Sequence, residues 1–424
     1  MGLIEALRGT RDILPDEVRY WQRVETIAAA VLARAAFTEI RTPIFEQTGL
    51  FERSIGAATD VVGKEMYTFK DRGDRSVTLR PEGTAGVVRA YIEQGLHAQG
   101  GIQRLWYLGP MFRYERPQAG RQRQFHQLGV EVLGTASARA DVEAIAVATD
   151  ILRQLGLQNL TLQLNSIGDS RDRQKYREAL VAYLTPYQLD LDPDSRDRLT
   201  RNPLRILDSK DTRTQEILKE APSMLDFLNP EAQVRFERVQ SLLTDLTIPY
   251  EINPLLVRGL DYYSHTVFEI QSADLGAQAT VIGGGRYDKL VAELGGPETP
   301  AIGWAMGLER LILLIKQLQP LPPATVDFYV VSRGESAEAQ AVLLSQQLRH
   351  QGFTVEMDVS GSAFGKQFKR ADRSGASACL ILGDTEAETK TVQVKWMATG
   401  EQAAIAQSEL SVYLHRQQPA LKAI

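Results

Sequence analysis

Two strand-like runs on either side of an arginine-rich tip constrain the fold of this 424-residue chain most strongly. Apolar and polar residues alternate through RLWYLGPMFRYE at 104–115 and again through FHQLGVEVLG at 125–134. The polar segment RPQAGRQRQ joins the two runs, so the pattern predicts a β-hairpin with a long charged tip. Such a hairpin indicates an antiparallel sheet.

Other hairpin and helix patterns surround this one in the first 318 residues. A second hairpin is predicted around the turn DRGD, from 66–69 and 76–80, and a strand with an edge proline, Pro43, is predicted from FTEIRTPIF. Further strands are predicted near 250, 266 and 277, and helices at 16–36, 83–94 and 140–155. Because hairpins follow one another with helices between them, we predict an α+β fold with an antiparallel sheet flanked by helices.

The pattern changes twice along the chain, and both changes suggest domain boundaries. Short charged amphipathic helices, separated by proline and aspartate, occupy about 166–250 and read as a helical insertion. The proline-rich segment QPLPPAT ends at 325, and beyond it strands and helices alternate. We therefore predict a first domain at 1–325 and a second, α/β domain with a largely parallel sheet at 326–424.

Composition excludes several classes of protein. The net charge of −5 excludes a generally basic nucleic-acid coat, although it allows a local basic face. The single cysteine, Cys379, lies in the apolar run ASACLIL and is expected in a buried strand. The five histidines show no metal-binding spacing. With no signal-peptide pattern at the N-terminus and no apolar run long enough to span a membrane, we expect a cytoplasmic protein.

Nucleotide chemistry, if present, must use side chains of the sheet. The phosphate-binding pattern GxxxxGK followed by Ser or Thr does not occur, and no GxGxxG follows a strand. The predicted hairpin instead concentrates charge, with Arg113, Glu115, Arg116, Arg121 and Arg123 inside eleven residues. Such arginines could neutralise phosphate oxygens. The alternative is a solvated charge run.

Three further segments could face a small polar ligand. In RPEGTAG, Glu82 and Thr84 could receive an ammonium group, although they could equally cap a helix. In HQLGVEV, Gln127 and Glu131 lie on one strand face, which could also be a solvent face. In GWAMGLERL, Arg310 lies one turn into a helix and could equally be part of a structural ion pair.

The segment LVRGLDYYSHTVFEI at 256–270 combines a cation with two aromatic residues before a strand. Arg258 could hold a carboxylate or a phosphate, and Tyr262 and Tyr263 could enclose a ring while donating hydrogen bonds. Taken alone, the segment could be a surface hairpin. No role is evident for Asp261.

Together these segments resemble the class II aminoacyl-tRNA synthetases, and among them the histidyl-tRNA synthetase family. The stretches EIRTPIFEQTGLF, FRYERPQAGRQRQFHQLGVEVLG and AIGWAMGLERL are similar to the three class II motifs. RGTRDILP, LRPEGTAG and LVRGLDYYSHTVFE are similar to segments specific to the histidine enzymes. The resemblance implies a sheet of six or seven antiparallel strands in a homodimer, with 166–250 as the insertion and 326–424 as the anticodon-binding domain.

The resemblance also implies a reaction in two steps. The carboxylate of L-histidine attacks the α-phosphate of ATP, which is used with Mg²⁺, and the histidyl group then passes to the 3′ end of tRNA(His). No tightly bound prosthetic group and no metal site built from protein ligands are expected. A second reading is the related non-catalytic, histidine-binding regulatory subunit of ATP phosphoribosyltransferase. That subunit typically lacks the C-terminal domain and has a degraded arginine–tyrosine segment, whereas this chain has both.

Each site residue receives its role from the resemblance. Arg258 and Arg113 would be catalytic, next to the substrate carboxylate and the α-phosphate. The histidine-binding set would be Glu82, Thr84, Arg113, Gln127, Glu131, Arg258, Tyr262 and Tyr263. The ATP-binding set would be Arg113, Glu115, Arg121, Phe125 and Arg310. Arg116, Gln118 and Arg123 would be candidates for contacting the tRNA acceptor end.

Overall fold

The computed structural model describes residues 3–56, 59, 61–278 and 280–421. Contacts divide the chain into two compact units, 1–321 and 322–424. Within the described residues, no helix is both long and apolar enough to cross a membrane.

The first unit contains eleven strands among its described residues. They are β1 (Thr38–Glu39), β2 (Phe45–Gln47), β3 (Tyr67–Lys70), β4 (Ser76–Leu79), β5 (Gln103–Phe112), β6 (Gln124–Leu133), β7 (Leu160–Ser166), β8 (Tyr250–Ile252), β9 (Ser264–Ser272), β10 (Thr280–Arg286) and β11 (Ala301–Gly307). Its helices are α1 (Pro15–Arg34), α2 (Thr48–Ile55), α3 (Thr84–Glu93), α4 (Ala138–Gln154), α5 (Ser170–Leu184), α6 (Pro193–Arg201), α7 (Thr212–Leu218), α8 (Pro230–Asp245), α9 (Leu290–Glu293) and α10 (Leu308–Leu318).

The main sheet has eight strands in the order β1-β5-β6-β11-β10-β9-β7-β8. The six central strands are antiparallel to one another, whereas β1 pairs in parallel with β5 at one edge and β8 pairs in parallel with β7 at the other. The predicted α+β class is confirmed, and the two parallel edge strands explain why the count exceeds the six or seven expected. The predicted hairpins β5-β6 and β3-β4 are also present.

The run FTEIRTPIF does not form the single strand predicted from its alternation. It forms β1 in the main sheet and β2 in a separate three-stranded sheet of order β2-β4-β3. Pro43 lies between the two strands, and a proline has no N–H group to donate to a strand ladder. The chain therefore changes sheets where pairing is interrupted.

One face of the main sheet is covered by helices and holds the largest apolar core. Helices α1, α4, α8 and α10 contribute buried side chains that pack against those of the central strands, for example Val24, Ile145 and Leu311. α1 starts with Pro15 in its first turn, and Ser137 caps α4 through the N–H of Arg139. The opposite face is richer in tyrosine and carries the polar residues discussed below.

The insertion segment has a core of its own. Side chains from α5, α6, α7 and the 3-10 turns between them, among them Tyr176, Leu180, Ile206 and Leu218, form a separate buried cluster. Helix α8 differs, because Phe236, Val239 and Leu243 pack into the main core instead. The independently packed part of the segment predicted at about 166–250 therefore ends before α8.

The second unit contains strands β12 (Phe328–Ser332), β13 (Val355–Met357), β14 (Ala378–Leu382), β15 (Thr391–Trp396) and β16 (Gln402–Ala406), with helices α11 (Glu335–His350), α12 (Phe364–Arg373), α13 (Asp384–Thr389) and α14 (Gln407–Leu421). Its sheet order is β13-β12-β14-β15-β16. Only the first two pairs are parallel, so the sheet is less parallel than predicted. The short β15–β16 connection explains the last of these pairs, because it permits only antiparallel pairing. Cys379 is fully buried on β14, as predicted.

A fully buried ion pair joins the helical layer to the main sheet. Arg286, at the end of β10, donates from Nη2 to Asp141 Oδ2 at 2.8 Å, and neither side chain has any solvent exposure. Arg286 also donates to the carbonyls of Thr135 and Ser137 and to Asp288. The pair is fully hydrogen-bonded, so removing one partner leaves a buried, uncompensated charge.

We predict that Asp141→Asn destabilises the first unit by roughly 3–5 kcal/mol, because it removes the charge that compensates buried Arg286. Urea unfolding followed by tryptophan fluorescence measures the change. Asp197→Asn, which removes an exposed ion pair with Arg201, is the matched control and should cost less than about 1 kcal/mol. Equal effects of the two substitutions would contradict the role given to the buried pair.

Candidate active site

A cavity of about 460 Å³ lies on the tyrosine-rich face of the main sheet. Strands β6, β10 and β11 contribute Gln127, Gly283 and Gly303 to its lining. The β5–β6 tip contributes Arg113, Glu115 and Arg121, and the loop before β9 contributes Arg258. Eleven predicted site residues line it together, namely Glu82, Thr84, Arg113, Glu115, Arg121, Phe125, Gln127, Arg258, Tyr262, Tyr263 and Arg310.

Glu131 lies below this cavity and is 1% exposed. Its Oε1 accepts a hydrogen bond of 2.7 Å from the Thr84 hydroxyl, and its Oε2 accepts one from the Tyr287 hydroxyl. Burial raises the pKa of Glu131 to about 8, although both hydroxyls oppose the shift. The carboxyl group is therefore protonated near neutral pH, while it retains partners for both oxygens.

Glu82 forms a second buried carboxyl group, at the start of α3. Its two oxygens accept 2.7 Å hydrogen bonds from the backbone N–H groups of Thr84 and Ala85. Burial raises its pKa, and those N–H groups and the charge of Arg113 oppose the shift. Glu82 thus accepts hydrogen bonds from the first N–H groups of α3, as the helix-capping alternative predicts. Glu82 also lines the cavity, so a cationic ligand group could reach it.

Tyrosines surround these two carboxyl groups. The rings of Tyr262 and Tyr263 lie 4.6 Å apart, and the Tyr262 and Tyr287 rings make an edge contact at 5.6 Å. Burial raises the pKa of all three hydroxyls, which keeps them protonated and able to donate. The tyrosine rings give this part of the cavity aromatic walls, and their hydroxyls supply hydrogen-bond donors at defined points, as binding of a polar ring requires.

Glycines on the sheet allow the charged side chains to lie flat against its backbone. A Cβ atom on Gly303 would collide with the Glu131 carboxylate, and one on Gly283 would collide with the Arg258 guanidinium. The Tyr107 ring fits between Gly83 and Gly129 in the same way. The sheet surface is therefore shaped to hold these groups close to the main chain.

Arg258 forms an ion pair with Glu269 on β9. Glu269 also accepts hydrogen bonds from Gln271 and, at 2.7 Å, from the Thr280 hydroxyl. Burial lowers the pKa of Arg258, but Glu269 and the nearby tyrosines raise it by a larger amount. The pKa therefore lies above its ordinary value, and the guanidinium remains charged. Its buried Nε has no hydrogen-bond partner among the described residues. An anionic ligand could supply that partner.

Arg113 enters the cavity from the other side of β11. Its Nε donates to the Pro81 carbonyl at 2.8 Å, and its guanidinium lies 5.4 Å from the centre of the Phe125 ring. Phe125 is on β6, and in the sheet β11 separates β6 from β10, against which Arg258 lies. Two cations therefore flank the centre of the site.

The outer part of the cavity carries two more arginines and one carboxylate. Glu115 lies 3.7 Å from Arg113 and 3.6 Å from Arg121. Arg310 donates to the Thr280 carbonyl at 2.9 Å, and burial and the charge of Arg121 lower its pKa. Arg121 and Arg310 supply positive charge in this part of the site, which favours an anionic ligand.

The three candidates for contacts with an acceptor end lie at the tip, outside the cavity lining. Arg116 and Gln118 are exposed. Arg123 differs, because its guanidinium lies 3.7 Å from the centre of the Tyr114 ring and its Nε donates to the Glu115 carbonyl. Its side chain also packs against Gly9, whose φ of +89° and close contact exclude a Cβ atom. The structure thus gives Arg123 a local packing role.

Sequence reasoning missed several residues that shape the site. Tyr287 and Glu269 orient predicted residues through hydrogen bonds. Glu269 lies in the segment LVRGLDYYSHTVFEI, between the buried residues Phe268 and Ile270. A charged residue between two apolar ones in a predicted strand is a signal that could have identified it. Arg205 and Asp208 reach the cavity from the insertion, and nothing local in the sequence marks them. Among described residues, no cluster of three His, Cys, Asp or Glu side chains could hold a metal ion.

Comparisons with known proteins agree with this geometry. The family model described as histidyl-tRNA synthetase matches residues 9–311, and an anticodon-binding-domain model matches 327–417. The histidine–tRNA ligase of Gloeothece citriformis is 70% identical over 410 residues, which cover 97% of this chain and 95% of that protein. The corresponding protein of Synechococcus elongatus is 71% identical and covers 97% of this chain and 94% of its own.

A solved structure has the same fold over nearly the whole chain. The apo histidyl-tRNA synthetase of S. aureus superposes with a TM-score of 0.81 at 39% identity, covering 97% of this chain and 99% of that one. The resemblance drawn from the sequence motifs is confirmed by these matches. The chain belongs to the histidyl-tRNA synthetase family.

Proposed function

We propose that this cavity activates L-histidine with ATP, giving histidyl-adenylate and pyrophosphate, and then transfers the histidyl group to the 3′ end of tRNA(His). One observation carries the proposal: a tyrosine pocket with two buried carboxyl groups adjoins two arginines that flank the same cavity. The relatives with about 70% identity are histidine–tRNA ligases, and this supports the assignment as an aminoacyl-tRNA ligase.

Histidine recognition is assigned to the inner part of the cavity. Glu131 and Tyr263 are proposed to contact the two imidazole nitrogens, with Tyr262 along the ring. Glu82, Thr84 and Gln127 are proposed to bind the α-ammonium group. Burying polar partners for both ring nitrogens discriminates strongly against side chains that lack them, because such a ligand would leave the partners unpaired.

The activation step follows from the two arginines. A carboxylate and a phosphate ester repel each other, so their approach is unfavourable without compensating charge. Arg258 is proposed to hold the histidine carboxylate near the α-phosphate, while Arg113 binds the α-phosphate from the other side of β11. This arrangement aligns an in-line attack and stabilises the charge that develops. No general base is required, because the attacking carboxylate is already ionised near neutral pH.

The outer part of the cavity is assigned to the nucleotide. Phe125 and Glu115 are proposed to contact the adenine, and Arg121 and Arg310 the outer phosphates. ATP is proposed to enter with Mg²⁺ as its counter-ion. Arg116, Gln118 and Arg123 remain the candidates for the acceptor end, with Arg123 acting in part by holding the tip through Tyr114.

Three further features of the proposal come from the family. The second unit, which matches an anticodon-binding-domain model, is proposed to bind tRNA(His). The protein is proposed to act as a homodimer in the cytoplasm. The regulatory-subunit alternative is not favoured, because the highly similar relatives are ligases and the match to them covers nearly the full chain.

We predict histidine-dependent exchange of labelled pyrophosphate into ATP by the purified protein. The reverse of adenylate formation incorporates the label only when the amino acid is activated. Replacing histidine with glutamine or phenylalanine should leave only background exchange. Absence of exchange with histidine, ATP and Mg²⁺ would sink the ligase proposal.

Arg258→Ala should reduce the exchange rate by about 10²-fold or more, because it removes a positioned cation that stabilises developing charge. Steady-state kinetics at saturating ATP measure the loss. Arg75→Ala, at an exposed position in the β3–β4 turn, is the control and should leave the rate unchanged. Near-normal exchange by Arg258→Ala would remove the catalytic role assigned to that residue.

Glu131→Gln should flatten the pH dependence of stability of the ligand-free protein. The pKa of Glu131 is about 8 in the folded state, above its ordinary value of 4.5, so the folded state holds the proton more tightly. This stabilisation is fully present below about pH 4.5 and is lost as the pH rises through about 8. Midpoints of urea unfolding from pH 5 to 9 measure the effect.

The matched control for this experiment is Glu298→Gln, at an exposed position. It should leave the pH profile of the unfolding midpoints unchanged. If Glu131→Gln also follows the wild-type profile, Glu131 does not titrate as described.

A further inference from the structure

We propose that Arg173 and Asn202, both in the helical insertion, are positioning residues that hold the loop 256–263 in the geometry needed for histidine activation. The inference rests on the function proposed above, because that loop carries Arg258, Tyr262 and Tyr263. It also assigns a role to Asp261, which the sequence analysis left unassigned.

Direct hydrogen bonds connect the insertion to the loop. Arg173, on α5, donates from Nη1 to the carbonyl of Tyr263 at 2.8 Å and to that of Asp261 at 3.3 Å. Asn202, just after α6, donates from Nδ2 to Asp261 Oδ1 at 3.0 Å. Arg205 donates from Nη1 to the Arg258 carbonyl at 3.2 Å. The insertion therefore holds the backbone at the residues whose side chains form the site.

The loop is fixed on its other side by the end of α2. The Asp261 N–H donates to the Ile55 carbonyl at 3.2 Å. Gly56 follows with a φ of +99°, and a Cβ atom there would lie 2.6 Å from Asp261 Oδ2. Asp261 thus sits between α2 and the insertion, and its carboxylate can shift little without losing Asn202 or colliding with Gly56.

Hydrogen bonds, rather than close packing, join the insertion to the tip of the loop at residues 261–263. A second cavity of about 320 Å³ lies beside these hydrogen bonds, between the insertion and the loop. Its lining includes four arginines of the insertion, namely Arg173, Arg177, Arg201 and Arg205. The insertion core makes apolar contact with the start of the loop, where Leu255 and Val257 pack against it. Leu260, Tyr262 and Tyr263 pack on the sheet face instead. Near its tip the loop is therefore held to the insertion through hydrogen bonds.

Neither Arg173 nor Asn202 lines the cavity assigned to histidine and ATP. Replacing them removes no direct contact with either substrate. Any effect on activation must therefore pass through the loop. Because Arg258 and the two tyrosines are assigned to histidine, displacement of the loop should affect histidine more than ATP.

Pyrophosphate exchange by the full-length protein tests this inference. Arg173→Met and Asn202→Ala should each raise the KM for histidine, and lower kcat/KM for histidine by roughly tenfold, because small misplacements of positioning groups are costly. The KM for ATP should stay within about twofold of wild type, since the ATP-binding residues lie outside the loop. Arg173→Lys should recover part of the loss, because an ammonium group can still donate to a carbonyl.

Arg177→Met is the matched control. Arg177 lies one turn further along α5 and lines the same second cavity, but within the described part of the chain its side chain has no hydrogen bond or ion pair. It should behave as wild type. Wild-type kinetics for both Arg173→Met and Asn202→Ala would overturn the inference, as would equal rises in the KM for histidine and for ATP.

The outcomes also separate this inference from the proposed function. If the wild-type protein shows no histidine-dependent exchange, the function itself fails. If the wild type exchanges and the two insertion variants match it, only the positioning role fails. Should Arg173→Met not fold, Asn202→Ala still decides, because it removes one side-chain hydrogen bond at the edge of the second cavity.

Discussion

Close approach of charged side chains to the sheet backbone is the constraint on which the site depends. The Arg258 guanidinium occupies the space above Gly283, and the Glu131 carboxyl group occupies the space above Gly303. A Cβ atom at Gly303 would also collide with the Val130 carbonyl, and one at Gly283 would force the Arg258 guanidinium to move. The two glycines therefore determine where these charged groups can lie. Tyr107, held between Gly83 and Gly129, then fixes the Glu82 segment against the same surface. The ligand-binding geometry thus depends on glycine positions in the strands, where no side chain covers the backbone.

The two faces of the main sheet bury different kinds of side chain. The helical face gains stability from apolar burial, and the buried charges of Arg286 and Asp141 within it are paired with each other. The other face buries Glu82 and Glu131, groups that lower stability when they ionise. Stability supplied by the first face allows the second to keep polar groups partly desolvated, where they discriminate between ligands most strongly.

Local patterns in the sequence predicted what local physics determines. Alternation identified the β5–β6 hairpin, and its polar positions identified Gln127 and Glu131, because side-chain direction in a strand alternates with a period of two. Alternation could not predict which strands pair across long stretches of the chain, because the pairing of β11 with β6 and of β9 with β7 depends on contacts distant in sequence. Tyr287 and Arg205 were missed for the same reason: their roles arise only when separate segments meet. The resemblance supplied most residue roles, and the break at Pro43 shows where alternation alone was misleading.

The separate core of the insertion has a consequence for the order in which the first unit opens. The buried side chains of the insertion pack with one another, and hydrogen bonds connect the insertion to the tip of the loop 256–263. A segment with its own core can detach and reclose as a unit without exposing the core beneath the main sheet. Backbone amides of α5 and α6 should therefore exchange with deuterium by a lower-energy opening than those of β6 and β11. Each such opening would remove the hydrogen bonds that the insertion makes to the loop 256–263, so the lifetime of a competent site depends on the stability of the insertion.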